Sequence, residues 1–72
     1  MMNVITVSDI ENVEHRAWLF ATEVCEFLVY GESCDPFAEP AYLAWLDELP
    51  RTLRAYARIA YDKAHASYMA GH

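Results

Sequence analysis

Apolar residues recur along the first helical stretch of the chain at alternating spacings of three and four: Ile10, Val13, Ala17, Phe20, Val24 and Phe27. This is the seam of a helix that packs on another helix, because steps of three and four return a side chain to the same face. Trp18, Ala21, Cys25 and Leu28 fall beside the seam at about 100° per residue and widen the apolar stripe to about half the circumference. Ser8-x-x-Glu11 reads as a capping box, so the pattern predicts a first helix over residues 8–30, ended by Gly31 in the left-handed conformation. Ahead of it, Asn3 to Val7 is β-branched, which predicts a tail or an edge strand over residues 1–7.

Residues 31–39 read as a loop with a turn at Asp35-Pro36. Pro40 suits the first position of a short second helix over residues 40–49, through Tyr42, Leu43, Trp45, Leu46 and Leu49, since its missing N–H costs nothing there. Pro50 pushes Leu49 out of the α region, and a third helix follows over residues 50–70 with Gly71 beyond it. The seam of that helix is Leu53, Ala57, Ala60, Ala64 and Ser67, flanked by Tyr56, Tyr61 and Tyr68. Small seam residues let two helix axes approach, with Phe20, Val24 and Phe27 filling the space opposite, in an antiparallel pairing of the first and third helices. A second apolar line, Ala55, Ile59, Ala66 and Ala70, lies about 120° from the first, and one hairpin cannot bury both. The expected architecture is therefore all-α: one domain, a helical hairpin with a short middle helix, doubled into a helical-bundle homodimer.

Length strengthens the case for association. A chain of 72 residues buries only about 60% of the surface its unfolded form exposes, so its own core is marginal. With 56% hydrophobic residues, self-association is the remedy this composition favours. Two cysteines, Cys25 and Cys34, and the lack of a basic-then-apolar leader point to reduced thiols and a cytoplasmic location. The most apolar run, residues 17–30, is too short to span a bilayer and carries Glu23 and Glu26, so no membrane is expected.

Charge changes the picture further. Ten of the eleven acidic residues lie in residues 1–50 and four of the five basic ones in residues 51–72, which suits halves that face each other or a charged partner. Arg51, Arg54, Arg58 and His65 share about 60° of arc on the third helix. Four cationic positions in a chain of net charge −6 are too few to neutralise a phosphate backbone, so nucleic acid is not the expected partner. Pairing with Glu23, Glu26, Asp47 or Glu48 accounts for the arginines more simply. Glu11, Glu23, Glu26, Glu32, Asp35 and Glu39 spread negative charge as a nucleic-acid mimic does, but irregularly, and a solvated acidic surface explains them.

Candidate chemistry is sparse. Asp62-x-x-His65 has the spacing to share a metal and Glu23-x-x-Glu26 offers two more carboxylates, yet both pairs project away from the apolar faces, so no metal or cofactor is expected. Cys25 sits on the apolar side of its helix, and Cys34 has no adjacent base. Ser8, Ser33 and Ser67 lack a strand–turn–helix elbow, and two glycines make no phosphate loop, so no enzyme is expected. Glu14 breaks the pattern by falling inside the apolar arc: either a cation meets it, such as an arginine of a second copy, or thin coverage leaves it wet.

The surplus of apolar residues is the better clue to function. Leu19, Val29, Phe37, Tyr42, Trp45, Ile59 and Met69 are more than one hairpin can bury, and aromatic and methionine side chains beside arginine are the composition of interface cores. Tyr42, Trp45, Arg51, Arg54, Arg58, Ile59 and Met69 are therefore the candidate partner-binding residues. In its short chain, its charge split, its two helical seams and its surplus Trp45, Tyr42, Ile59 and Met69, the protein resembles the small acidic helical proteins that bacteriophages make to disable host proteins, among them CRISPR complexes, transcription regulators and pilus motors. The resemblance implies an inhibitor or modulator that occludes a target protein. A small metal- or ligand-handling bundle and a small DNA-binding regulator using the third helix are the alternatives that the residues themselves allow.

Overall fold

The computed structural model describes residues 5–31 and 35–71 of the chain. It holds three helices, α1 (Val7–Tyr30), α2 (Ala38–Glu48) and α3 (Arg51–Ala70), with no strand among the described residues. Val7, expected in an extended tail, belongs to α1, while Asn3, Val4, Glu32, Ser33 and Cys34 lie outside the described residues.

The capping box of α1 lies two residues upstream of the expected one. The Thr6 hydroxyl accepts from the Asp9 N–H at 3.1 Å, and the Asp9 carboxylate accepts from the Thr6 N–H at 3.0 Å. Thr6-x-x-Asp9 overlaps Ser8-x-x-Glu11, and the upstream box places an acidic residue in the first turn, where the helix dipole favours it. It also puts Ile5 and Ile10, both half-buried, at the two positions of a hydrophobic staple. At the other end Gly31 takes φ 70° and donates its N–H to the Phe27 carbonyl, a conformation that a side chain would strain.

Helix α2 also begins two residues early. The Asp35 carboxylate accepts from the Phe37 N–H at 2.9 Å, a turn that aims the chain into the helix. Pro40 thus stands third rather than first in α2, still within the opening turn, where an N–H has no partner to lose. Leu49 is extended, with ψ 146°, ahead of Pro50, as expected before a proline, and Pro50 caps α3 from outside rather than opening it.

Cross-helix contacts define the direction of each helix. Ala38 lies by Val24 and Phe27, and Phe20 lies 5.8 Å from Tyr42 and 5.3 Å from Trp45. Helix α2 therefore runs antiparallel to α1. Ala57 packs with Val13 and Ala17 near the start of α1, whereas the Cys25 thiol reaches the His65 carbonyl at 3.8 Å near its end. Helices α1 and α3 are therefore parallel, not antiparallel as their seams suggested. The cause is α2, which spans about 16 Å and carries the chain back along the layer before α3 sets out.

The core follows from how closely α1 and α3 approach. Most interhelical contact is between these two helices, and Ala17, Ala21 and Ala57 at their crossing are fully buried. Among the described residues five of the ten buried ones are alanine and the largest fully buried side chain is Cys25, so the seam is tight but contributes little buried apolar area. Larger side chains gather on one side of the pair, where α2 lays Tyr42, Trp45 and Leu46 against Phe20, Leu53 and Tyr61. Phe20 thus packs on α2 rather than into the alanine seam of α3, and Phe27 remains 37% exposed. The molecule is elongated, 46 × 22 × 14 Å, with a radius of gyration of 13.1 Å against about 11 Å for a compact chain of this length.

Arg54 locks the α2–α3 corner. Its Nε donates to the Leu46 carbonyl at 3.1 Å, and one Nη to the carbonyls of Leu49 at 3.1 Å and Asp47 at 3.4 Å. The first turn of α3 disfavours a cation, but the carbonyls at the C-terminus of α2 attract one. Arg54→Ala is expected to destabilise the fold by about 1–3 kcal/mol in chemical denaturation, since the carbonyls lose the guanidinium and Leu46 keeps only the Leu49 N–H. Lysine should restore only part of this, because a single ammonium cannot reproduce the planar fork.

Candidate protein-binding surface

The partner-binding residues expected from the sequence divide into three groups. Tyr42 is only 6% exposed: its ring stacks on Tyr61 at 3.9 Å and 11°, and Trp45 sits 6.1 Å away, half-buried. These two aromatics build the core beneath α2. Arg54 is half-buried and holds the α2 carbonyls, so it joins neither an acidic side chain nor an outward stripe. Arg51, Arg58, Ile59 (54%) and Met69 (40%) are exposed on α3. By helical periodicity Arg51, Arg58 and Met69 share one arc, with Ile59 further round.

The second apolar line of α3 stays uncovered: Ala55, Ile59, Ala66 and Ala70 are all exposed. Together with Arg51, Arg58 and Met69 it makes an outward surface of small apolar steps edged by guanidinium groups. Leu19, Val29 and Phe37 are exposed as well, Phe37 at 71%. Glu14 is exposed, so it stays wet rather than demanding a buried cation within the monomer. Trp18 and Leu28, expected on the apolar side of α1, are 52% and 60% exposed, because the alanine contact with α3 and the cover by α2 leave part of that stripe open.

Trp18 is the feature that sequence reasoning missed. It projects beside His15, whose ring lies 6.4 Å away at 17°, at the edge of a groove between α1 and α3 on the side away from α2. The available signal was Glu14, one turn below it, whose charge within the apolar arc marked that sector as wet.

Titratable groups respond to burial. Cys25 is buried and its thiol is pushed up by desolvation, the environment of a packing thiol rather than a nucleophile. Tyr61 is pushed up to about 12, first by burial and then by the nearby Glu39 carboxylate and Tyr42 phenol. Since the folded value lies above the ordinary 10, the fold favours the neutral phenol; this contribution is complete below about pH 10 and is lost as pH rises through 12. The urea midpoint should therefore fall between pH 10 and 12, and Tyr61→Phe should flatten that fall. His65, half-buried, lies 6.0 Å from Tyr61. Among the described residues no three His, Cys, Asp or Glu side chains are grouped so as to hold a metal ion, and no helix is long and apolar enough to cross a membrane. No protein family, curated protein or solved structure matches this chain, so its function is read from this surface alone.

Proposed function

We propose that the protein is a non-enzymatic binding module that works in the cytoplasm as a homodimer and occludes a target protein, in the manner of small phage inhibitors of host machinery. The observation that carries this reading is the exposed face of α3, where Arg51, Arg58, Ile59 and Met69 stand beside the uncovered line Ala55, Ala66 and Ala70. Among the described residues twelve large hydrophobic ones are exposed and only ten residues are buried. A monomer that leaves so much apolar surface wet gains by covering it with protein.

Arginine and methionine along the edge of such a face supply long, adaptable contacts, and the acidic remainder of the surface would select a target with a basic rim. The test is affinity capture from host lysate with mass spectrometry, run beside a triple variant Arg51→Glu, Arg58→Glu, Met69→Asp. All three residues are exposed, so the variant should keep its helical circular dichroism. Recovery of one protein by the wild type and its loss with the variant is the expected result. Equal recovery by both moves the site off α3, and recovery of nothing by the wild type counts against occlusion as the function.

A further inference from the structure

The groove between α1 and α3 is lined by Glu14 and Trp18 on one wall and by Ala60, Lys63, Ala64 and Ser67 on the other, with a volume of about 530 Å³. We propose that this groove is the seam of the homodimer, with a second copy related by a two-fold axis running along the helices, so that α1 of each copy lies on α3 of the other. This inference rests on the reading that the chain self-associates, and it names the surface and the pairing.

Charge selects both the occupant and the orientation. Helix α1 carries five carboxylates and one arginine, whereas α3 carries four cationic residues and one aspartate. A two-fold interface sets a patch against itself, so it must be self-complementary. With the axis along the helices, α1 meets the partner's α3, and Glu14 of each copy faces Lys63 of the other, once on each side of the axis. With the axis across the helices, α1 would meet α1 antiparallel, setting the acidic helix with its five carboxylates against a second copy of itself; like charges opposed in this way are repelled. One groove that bears Glu14 on one wall and Lys63 on the other is thus matched to a second copy of itself.

Shape agrees with charge. Trp18 is half out of the surface and braced by the His15 ring, while the opposite wall is made of Ala60, Ala64 and Ser67, small enough to receive an indole. Each copy would insert its Trp18 over the small residues of the other, and each large aromatic ring buries about 150–250 Å². Helix α3 runs about 30 Å. A face of that length and two helices wide is of the order of the roughly 800 Å² that each partner gives to a stable dimer. The arc holding Arg51, Arg58 and Met69 lies outside this groove and stays free for a target.

Sedimentation across a concentration series tests it. The wild type is expected to dimerise, and Trp18→Ala, Glu14→Lys and Lys63→Glu should each raise the dimer dissociation constant roughly tenfold or more. The double exchange Glu14→Lys, Lys63→Glu should restore the dimer, because it reverses both members of each pair. Trp18, Glu14 and Lys63 are all exposed, so circular dichroism should show an unchanged fold for every variant. A wild type that stays monomeric overturns the inference and leaves the groove to a foreign protein. A dimer that survives the single reversals overturns it in favour of another face, and failure of the double exchange overturns the α1-on-α3 orientation. A monomeric wild type would also remove the homodimer from the proposed function, whereas a dimer that uses another face would leave it standing; target capture through Arg51, Arg58 and Met69 is tested separately by the lysate experiment.

Discussion

Replacing Tyr42 with alanine is expected to cost about 3–5 kcal/mol, the range for removing a large aromatic ring from a core. Tyr42 joins all three helices: its ring stacks on Tyr61 of α3 at 3.9 Å, faces Phe20 of α1 at 5.8 Å, and sits on α2 itself. Few other large side chains are buried among the described residues, since half of the buried set is alanine, so Tyr42 supplies a large share of the buried apolar volume. A domain of this length has roughly 4–11 kcal/mol of net stability, and the loss would consume much of it. Thermal and urea unfolding followed by circular dichroism should show a much lower midpoint for Tyr42→Ala. Tyr42→Phe should keep most of the stability, because ring packing rather than the hydroxyl supplies the contact. A Tyr42→Ala midpoint close to wild type would mean that α2 is not fastened to the other helices in the way described.

Ala57→Leu should destabilise by about 1–3 kcal/mol or more, for the opposite reason. Ala57 is fully buried between α1 and α3, packed with Val13 and Ala17, where the axes approach closely because only methyl groups stand between them. Three added carbons have no space and would force the helices apart along the seam. Ala55→Leu, two residues away on the exposed side of α3, should stay within about 0.5 kcal/mol of wild type. Comparing the two separates the steric demand of the seam from any general effect of leucine in α3. Equal stability of both variants would disprove the tight α1–α3 contact.

The sequence was legible where local chemistry decides. The three helices, the break at Leu49-Pro50 and the stop at Gly31 follow from periodicity, proline and glycine, and appear within two residues of where these place them. The displaced starts of α1 and α2 have local causes: two overlapping capping boxes in one case, and the Asp35 turn in the other. The small residues at the third-helix seam announced a close approach, and Ala57 and Ala64 occupy it. The candidate site was legible only in part. Arg51, Arg58, Ile59 and Met69 are exposed as a binding surface requires, but Tyr42 and Arg54 share the same composition and periodicity and are claimed by the core and by the α2 carbonyls. Interface-like residue types do not distinguish a ring that meets a partner from one that meets a neighbouring helix.

By itself the sequence determined that the chain is helical, where each helix begins and ends to within a turn, and that its charge divides between its two halves, because these depend on contacts within a few residues. Only the tertiary structure decided that α1 and α3 run parallel, that Arg54 closes the α2 corner, and that Trp18 stands at an open groove between Glu14 and Lys63. Those features depend on which face α2 covers when it folds back, and that is set by the packing of Phe20, Tyr42 and Tyr61, residues some twenty positions apart in the chain that no local pattern connects.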